Sequence, residues 1–235
     1  MSKQLRLLAI IPAFNESAHL ADVVRQARLS ASSVLVVDDG SGDGTALAAR
    51  RAGAEVIIHS KNVGKGKALE TGFRVALEGD CQAVVTLDAD GQHRPSEIEG
   101  LLKTFERTNA DIVIGSRMGS LANMPLVRRF TNRVTSGIIS HLAHQKVSDS
   151  QSGFRLIRRR VLESTEMRTG HFDAESEFLV ESSRMGFRFA ESPISTIYAD
   201  EKSKIHPVLD TLRFLRLAVR LALRGLVSGR KRAES

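Results

Sequence analysis

The 235-residue sequence predicts an α/β fold: a doubly wound, mostly parallel sheet with an elaborated C-terminal half and a C-terminal amphipathic helix. Three observations lead there. Apolar runs of strand length alternate with helical patterns through the first 117 residues. Those runs are nearly all apolar instead of alternating with polar residues, as strands covered on both faces require. Each run ends in polar or glycine-rich residues, and an open parallel sheet binds its ligands beyond the carboxyl ends of its strands. A hydrophobic content of 42% supplies enough material for a sizeable core.

Taken in order, "LRLLAIIP" reads as the first strand and "NESAHLADVVRQARLS" as a helix, with Leu20, Val23, Val24 and Ala27 on one face and Asn15 or Ser17 as its cap. The short apolar start, closed by Pro12 and polar groups without a small-residue cleavage site, reads as a strand and not as a signal peptide. "SSVLVVDD" is the second strand, "GTALAARRAG" a short helix and "AEVIIHS" the third strand. "GKGKALETGFRVALEG" is helical, "CQAVVTLDAD" is the fourth strand, "RPSEIEGLLKTFERT" is a helix started by Pro95, and "ADIVIGSR" is the fifth strand. Beyond Arg117 the rhythm changes. A basic helix around "RRFTNRVTSGIISHLAH" leads through "KVSDSQ" to a strand "GFRLIRR", a helix "AESEFLVESSRMG" and strand-like "FRFAES" and "ISTIYAD". No repeat or low-complexity linker divides the chain, so residues 1–205 read as one domain with halves 1–117 and 118–205, followed by a basic helix and tail at 206–235.

The net charge of +7 points to an anionic partner: nucleic acid, phospholipid or a phosphorylated substrate. One Tyr and no Trp leave no aromatic-interleaved basic surface, which argues against nucleic acid. The charge is concentrated at Arg128 to Arg133, Arg158 to Arg160 and the C-terminus. Cys81 is the single cysteine, so no disulfide framework is available and a cytoplasmic, reducing compartment is expected.

The segment "VVTLDADGQH" poses the chemical question, because it ends an apolar strand in two carboxylates. On an extended chain, residues two apart share a side, so Asp88 and Asp90 would converge on one point. Facing carboxylates raise each other's pKa, and a divalent cation relieves the repulsion. An oxygen donor set of this kind suits Mg²⁺ or Mn²⁺, completed by water and substrate phosphates. Asp38 and Asp39 close a neighbouring strand and reinforce that reading over a solvated turn. "GSGDGT" follows the second strand and has Thr45 where a dinucleotide fingerprint needs Gly or Ala, so a nicotinamide or flavin site is not expected. "NVGKGKAL" lacks the spacing of a phosphate-cradling loop, which leaves Lys65 and Lys67 between a ligand role and a solvated helix start.

In order and spacing, "IPAFNE", "VVDDGSGDGT", "NVGKGKALETGF", "LDADGQHRP", "GSR" and "SDSQSGFRL" resemble the family 2 inverting glycosyltransferases of GT-A fold. "DADGQH", "RRFTNR", "DSQSGFR" and "KSKI" make the likeness nearest to the dolichyl-phosphate mannosyltransferase, or polyprenyl-phosphate glycosyltransferase, branch. The resemblance implies a GT-A-type sheet and a metal-dependent transfer of a hexose from a GDP- or UDP-sugar to a polyprenyl phosphate. It implies that Pro12, Phe14, Glu16, Val37 and Asp39 hold base and ribose, and that Asp88, Asp90 and Gln92 ligate the metal with Ala89 against the nucleotide. By the same likeness Arg117, Arg128 and Lys204 contact donor or acceptor phosphates, with Arg133 assisting, while Asp149 and Gln151 face sugar and acceptor.

Negative charge would build on the departing nucleoside diphosphate, where a metal and cationic side chains stabilise it. An anionic phosphate acceptor needs no strong base. A hydroxyl acceptor would need one, and Asp149 is the candidate, with His93 and His171 as alternatives. In the tail, Arg213, Arg216, Arg220 and Arg224 recur every three to four residues, while Leu212, Leu215, Val219, Leu223 and Leu226 occupy other faces. Four arginines oppose a spanning helix, each costing roughly 2.5 to 3.5 kcal/mol at the bilayer centre. Peripheral attachment in an anionic headgroup layer is expected, against the alternative of a helix packed on protein. Many relatives of the branch carry additional transmembrane helices beyond this point, and their absence here leads to the expectation of peripheral attachment; the cytoplasmic face of the membrane is the expected location.

Overall fold

The computed structural model describes residues 5–117, 126–165, 174–195, 214 and 216–224, with side chains in the helix that begins at 126 described from 129 onward. Seven strands form one sheet: β1 (Leu7–Ala13), β2 (Ser33–Asp38), β3 (Glu55–Ile58), β4 (Ala83–Thr86), β5 (Ile112–Ser116), β6 (Arg155–Arg158) and β7 (Phe189–Pro193). Their spatial order is β3-β2-β1-β4-β6-β5-β7. All neighbours run parallel except β6, which is antiparallel to both β4 and β5. The mostly parallel α/β sheet expected from the sequence is therefore present. The order differs in one respect: β6, from the second half of the chain, lies between β4 and β5 of the first half.

Both faces are covered because successive residues of a strand point to opposite sides. Along β1, Leu7, Ala9, Ile11 and Ala13 join one core with Leu20, Val23, Val24 and Ala27 of α1 (Leu20–Ala27), Ala49 of α2 (Thr45–Arg51) and Ile98, Leu101 and Phe105 of α4 (Ile98–Thr108). The alternate residues Leu8 and Ile10 join a second core with Ala68, Leu69, Phe73 and Ala76 of α3 (Lys65–Glu78). That second core also takes Ile139 of α5 (Leu126–Ala143), Val161 and Leu162 of α6 (Arg159–Ser164) and Phe178 and Leu179 of α7 (Ala174–Arg184). Helix α3 can lie close to the sheet because residue 72 is glycine; a Cβ there would stand 2.5 Å from Ile10 Cγ2.

Four details depart from the sequence reading. Strand β4 stops at Thr86, short of the carboxylates. Helix α6 follows β6 directly and was not anticipated. "ISTIYAD" is not a strand at Ile194 and Ser195, and its remaining residues lie outside the described ones. The arginines at 158–160 are not a basic patch. Arg158 lies 4.0 Å over the Phe105 ring and donates to Ala110 O, and Arg160 pairs with Asp111. Arg159 donates to the carbonyls of Ala76, Leu77, Gly79 and Cys81 at 2.7–3.3 Å, satisfying the orphan acceptors where α3 ends.

Residues 214 and 216–224 are helical, and the latter stretch is termed α8. Phe214, Leu217 and Leu221 are buried in the second core, so this helix packs on the domain, the alternative that the arginine pattern had left open. Arg224 is not part of an outward stripe: it donates to buried Glu177 at 2.9 Å. Arg216, Val219, Arg220 and Leu223 are exposed, and Arg213 is outside the described residues. No helix among the described residues is long and apolar enough to cross a membrane.

Charged hydrogen bonds to a helix end contribute about 2 kcal/mol. Arg159→Ala is therefore expected to lower the urea unfolding free energy by about that amount with an unchanged denaturant slope; an unchanged midpoint would show that water caps α3 equally well.

Candidate active site

Beyond Thr86 the chain turns. Leu87 N–H still donates to Ile10 O at 3.2 Å, and Thr86 Oγ1 donates to Gly153 O at 2.7 Å. Gly91 then adopts φ +74°, a conformation that disfavours side chains, and Gln92 N–H donates to Asp90 Oδ1 at 2.9 Å. Asp88 and Asp90 thus converge through a tight turn and not through strand alternation, which corrects the geometry expected from the sequence.

Their surroundings differ. Asp88 Oδ1 lies 2.6 Å from Lys65 Nζ, and the same ammonium is 3.2 Å from Glu175 Oε1 at the start of α7. Burial works against the Asp88 charge, but Lys65 foremost, then His93 and Arg117, hold its pKa at about 2. Burial likewise disfavours the Lys65 ammonium, yet Asp88 and Glu175 raise its pKa above the ordinary lysine value. Asp90 is pushed the other way: burial and the neighbouring Asp88 charge raise its pKa, offset in part by the Gln92 N–H. The Lys65 ammonium beside these carboxylates pairs with Asp88 and Glu175. Gly153 is part of this packing, since a Cβ on it would lie 2.8 Å from both Asp88 Oδ1 and Lys65 Nζ. His93 is buried, stacks near Phe154 at 5.3 Å, and receives the Asp88 N–H on Nδ1 at 3.4 Å. Burial lowers its pKa, so the neutral ring is a structural neighbour of the turn.

The sheet topology delivers the second half of the site. Because β6 runs antiparallel, the residues that precede it arrive at the edge where β4 and β5 finish. Asp149, fully buried, accepts from Arg117 Nε at 2.7 Å, Nη2 at 2.8 Å and N at 3.2 Å, and from Asn132 Nδ2 at 3.0 Å. Burial opposes its ionisation, but the Arg117 bonds and charge, with the Asn132 amide, lower its pKa overall. A carboxylate held in this way is a poor proton acceptor, so the base role weighed for Asp149 does not fit its surroundings. Arg155, 2% exposed, donates to Ser150 O, Ser152 O and Glu175 O, tying this loop to α7. Gln151 is exposed on the same loop, and Arg133 is exposed on α5. Lys204, His171 and the Arg128 side chain lie outside the described residues.

The other expected binding residues follow β1 and β2. Phe14 is 39% exposed, and Glu16 N–H donates to Thr45 Oγ1 at 2.9 Å in a loop stapled to "GSGDGT" through Asn15, Ser17 and Asp43. That glycine-rich segment thus braces the loop after β1. Pro12 and Val37 are buried, and Val37 belongs to the core beneath α3. Ala89 is buried in the opposite core. Asp39 is buried and clasped: it accepts from Val63 N–H and Gly64 N–H at 2.8–3.2 Å and faces His59 Nδ1 at 2.8 Å. A hollow of about 570 Å³ shares His59, Val63 and Thr71 with this clasp.

Asp88, Asp90 and Gln92 form an oxygen-only set suited to a small hard cation. Burial and the Asp88 charge raise the Asp90 pKa, and a divalent ion would relieve that repulsion, so the residues fit one. No cluster of three His, Cys, Asp or Glu side chains surrounds a single point among the described residues, so amide, water or substrate oxygens would complete the shell. Sequence reasoning missed Glu175, Gly153 and Asn132. Glu175 sits in a run, Ala174–Val180, that is buried throughout, and only packing distinguishes its role from that of a core helix.

A sequence profile for Glycosyl transferase family 2 matches residues 8–165. The chain is 31% identical over 214 residues to UDP-N-acetylglucosamine--dolichyl-phosphate N-acetylglucosaminyltransferase of Methanococcus voltae, covering 81% of this chain and 85% of that protein. It is 31% identical over 206 residues to undecaprenyl-phosphate mannosyltransferase of Micrococcus luteus, covering 82% and 84%. Among solved structures, glucosyl-3-phosphoglycerate synthase of Mycobacterium tuberculosis, in complex with Mn²⁺, UDP and phosphoglyceric acid, superposes with TM-score 0.71 over 94% of this chain and 78% of that one, at 19% identity. The same enzyme has been crystallised with Mg²⁺ and UDP.

Asp149→Asn is expected to cost about 3 to 5 kcal/mol at pH 7, because it removes the charge of the carboxylate that receives three donations from the buried Arg117. The folded-state pKa of Asp149 lies below its unfolded value, so its contribution is complete above about pH 4 and fades as pH falls through the folded pKa. Unfolding curves of wild type and variant should therefore approach each other in acid; a constant gap from pH 7 to pH 2 would contradict the assignment.

Proposed function

The chain belongs to glycosyl transferase family 2 and is a glycosyltransferase, and from that premise we propose that it moves a hexose from a GDP- or UDP-sugar to a polyprenyl phosphate at a membrane surface. One observation carries the choice of acceptor. Among the described residues, each carboxylate brought to the end of β4 is already committed: Asp88 and Glu175 to Lys65, and Asp149 to Arg117 and Asn132. Asp90 is the carboxylate suited to the cation. A hydroxyl acceptor would need a proton taken from it, whereas a phosphate oxygen is anionic at neutral pH and attacks without a base. The names of the relatives, which act on dolichyl and undecaprenyl phosphates, support the same acceptor class.

In this reading Asp90 and Gln92, with Asp88 beside them, hold Mg²⁺ or Mn²⁺ against the donor diphosphate. The metal supplies a counter-charge for the leaving nucleoside diphosphate. Arg117, held rigid by Asp149, faces phosphate oxygens with a preoriented guanidinium, which loses little entropy on binding. Lys65 keeps the Asp88 carboxylate in place. Pro12, Phe14, Glu16 and Asp39 line the nucleotide end, Val37 supports it from the core, and Gln151, Arg128, Arg133 and Lys204 serve the acceptor. The domain reads as a nucleotide-binding half at 1–117 and an acceptor-binding half at 118–205.

Attachment to an anionic lipid surface, on the cytoplasmic face, is part of the proposal. Phe130 (72% exposed) and Val134 (45%) of α5, and Val219 (60%) and Leu223 (58%) of α8, are large apolar side chains in solvent, with Arg133, Arg216 and Arg220 exposed among them. Apolar groups interleaved with arginine suit an anionic headgroup layer.

The reading is tested by incubating the protein and Mg²⁺ or Mn²⁺ with GDP-mannose, UDP-glucose or UDP-N-acetylglucosamine and either a short polyprenyl phosphate or its free alcohol. Sugar is expected on the phosphate and not on the alcohol, and Asp90→Asn is expected to lose on the order of 100-fold or more in kcat. Equal transfer to the alcohol would overturn the acceptor class, and an Asp90→Asn variant as fast as wild type would overturn the metal assignment.

A further inference from the structure

Helix α5 meets the rest of the protein along an unusual seam. Its stripe at positions 132, 136 and 140 is polar: Asn132 and Ser136 are 2% and 3% exposed and Ser140 is half-buried, although residues at this spacing on a packed helix are ordinarily apolar. Each has a partner on the loop that leads to β6. Asn132 Nδ2 donates to Asp149 Oδ1 at 3.0 Å, while its own Oδ1 accepts from Ser136 Oγ at 3.1 Å. One turn on, Ser136 Oγ accepts from Ser150 N–H at 2.9 Å and lies 3.2 Å from Ser150 Oγ. A further turn on, Ser140 Oγ accepts from Val147 N–H at 2.9 Å and faces Val147 O at 3.0 Å. Polar groups buried in this way cost stability unless all are satisfied, and here they lock the 147–150 loop to one register on α5.

We propose that Asn132 is a positioning residue for the transfer reaction: by donating to the Asp149 oxygen that also receives Arg117 Nη2, it helps set the direction in which the Arg117 guanidinium points. The inference rests on the reading of Arg117 as the phosphate contact. A bidentate arginine–carboxylate pair is rigid internally, but as a unit it can pivot about the aspartate side-chain torsions. Arg117 binds Asp149 through Nε and Nη2, which fixes the pair, and its backbone N–H reaches the same carboxylate. The Asn132 amide adds a side-chain hold from helix α5. Without it the ion pair persists, but the carboxylate that orients the guanidinium loses a restraint and the place of the guanidinium is less tightly set. Displacements of about 1 Å at a reacting phosphate cost on the order of 100-fold in rate.

A double-mutant cycle tests this, with turnover of donor and polyprenyl phosphate, calorimetric affinity for GDP and UDP, and the thermal midpoint read for each protein. Asn132→Ala is expected to lower kcat/KM by roughly 10- to 100-fold, moving the same kinetic parameter that Arg117→Lys moves. In the Arg117→Lys background the same substitution should cost less than about 3-fold, because no fork remains to orient. Asn132→Ser, which keeps a hydroxyl donor, should recover part of the loss, and it takes the place of Asn132→Ala in the cycle if that variant does not fold. Equal losses in the two backgrounds, no loss in the wild-type background, or a loss that follows the thermal midpoint would overturn the proposal. Should Arg117→Lys turn over like wild type, the reading of Arg117 has failed and the positioning role falls with it; additive losses beside a damaging Arg117→Lys overturn the positioning role alone.

Discussion

Two carboxylates separated by one residue and partly withdrawn from water raise each other's pKa unless positive charge stands beside them, and this constraint organises the whole site. Lys65 answers it for Asp88 at 2.6 Å, and the answer is strong enough to hold that carboxylate at about pKa 2. Among the described residues Asp90 makes no such ion pair, and burial and the Asp88 charge raise its pKa. The asymmetry divides labour: one carboxylate is fixed and spent, the other is left with an electrostatic deficit that a divalent ion can make good. A site in which both aspartates were equally paired would have no comparable demand for metal.

The fold serves that constraint through one reversed strand. Parallel strands β1, β2, β4 and β5 bring their carboxyl ends to a common edge, but they cannot by themselves supply residues from the second half of the chain. Antiparallel β6, inserted between β4 and β5, does so, because its leading loop reaches that edge from the other direction. Gly153 then packs on the Asp88–Lys65 pair, and Asp149 takes Arg117 in a bidentate grip. Helix α5 holds the same loop from behind through Asn132, Ser136 and Ser140. Arginine and aspartate turns therefore belong to one connected body, although they come from residues 88 to 155.

Much of this was legible in the sequence. Strands β1 to β5 and helices α1 to α4 follow from apolar runs and 3.6-residue periodicity, because burial on both faces leaves an unmistakable pattern. The aspartates were legible because two carboxylates spaced one apart follow an apolar strand, with a second acidic pair closing a neighbouring one. What stayed hidden depends on pairing across the chain. Nothing local tells that "RLIR" runs backwards between two earlier strands, nor that Arg158, Arg159 and Arg160 are consumed by carbonyls, Asp111 and a phenyl ring instead of forming a charged surface. Glu175 and Asn132 were invisible for the same reason: a polar residue on a helix declares its purpose only when its partner is known. Asp149 was found from the resemblance, but its role as an acid–base candidate yielded to the geometry, since a carboxylate that receives three donations from one arginine has no affinity to spare for a proton.

The central claim is that the Asp90 carboxylate, and not Asp88 alone or any other group, is where a divalent ion settles. Anomalous scattering at the manganese edge, from crystals grown with Mn²⁺ and GDP or UDP, tests it without reference to any acceptor. The account predicts one strong peak within coordination distance of Asp90 and of the diphosphate, with Lys65 still on Asp88. A peak elsewhere, or a bound diphosphate with no metal beside Asp90, would contradict it.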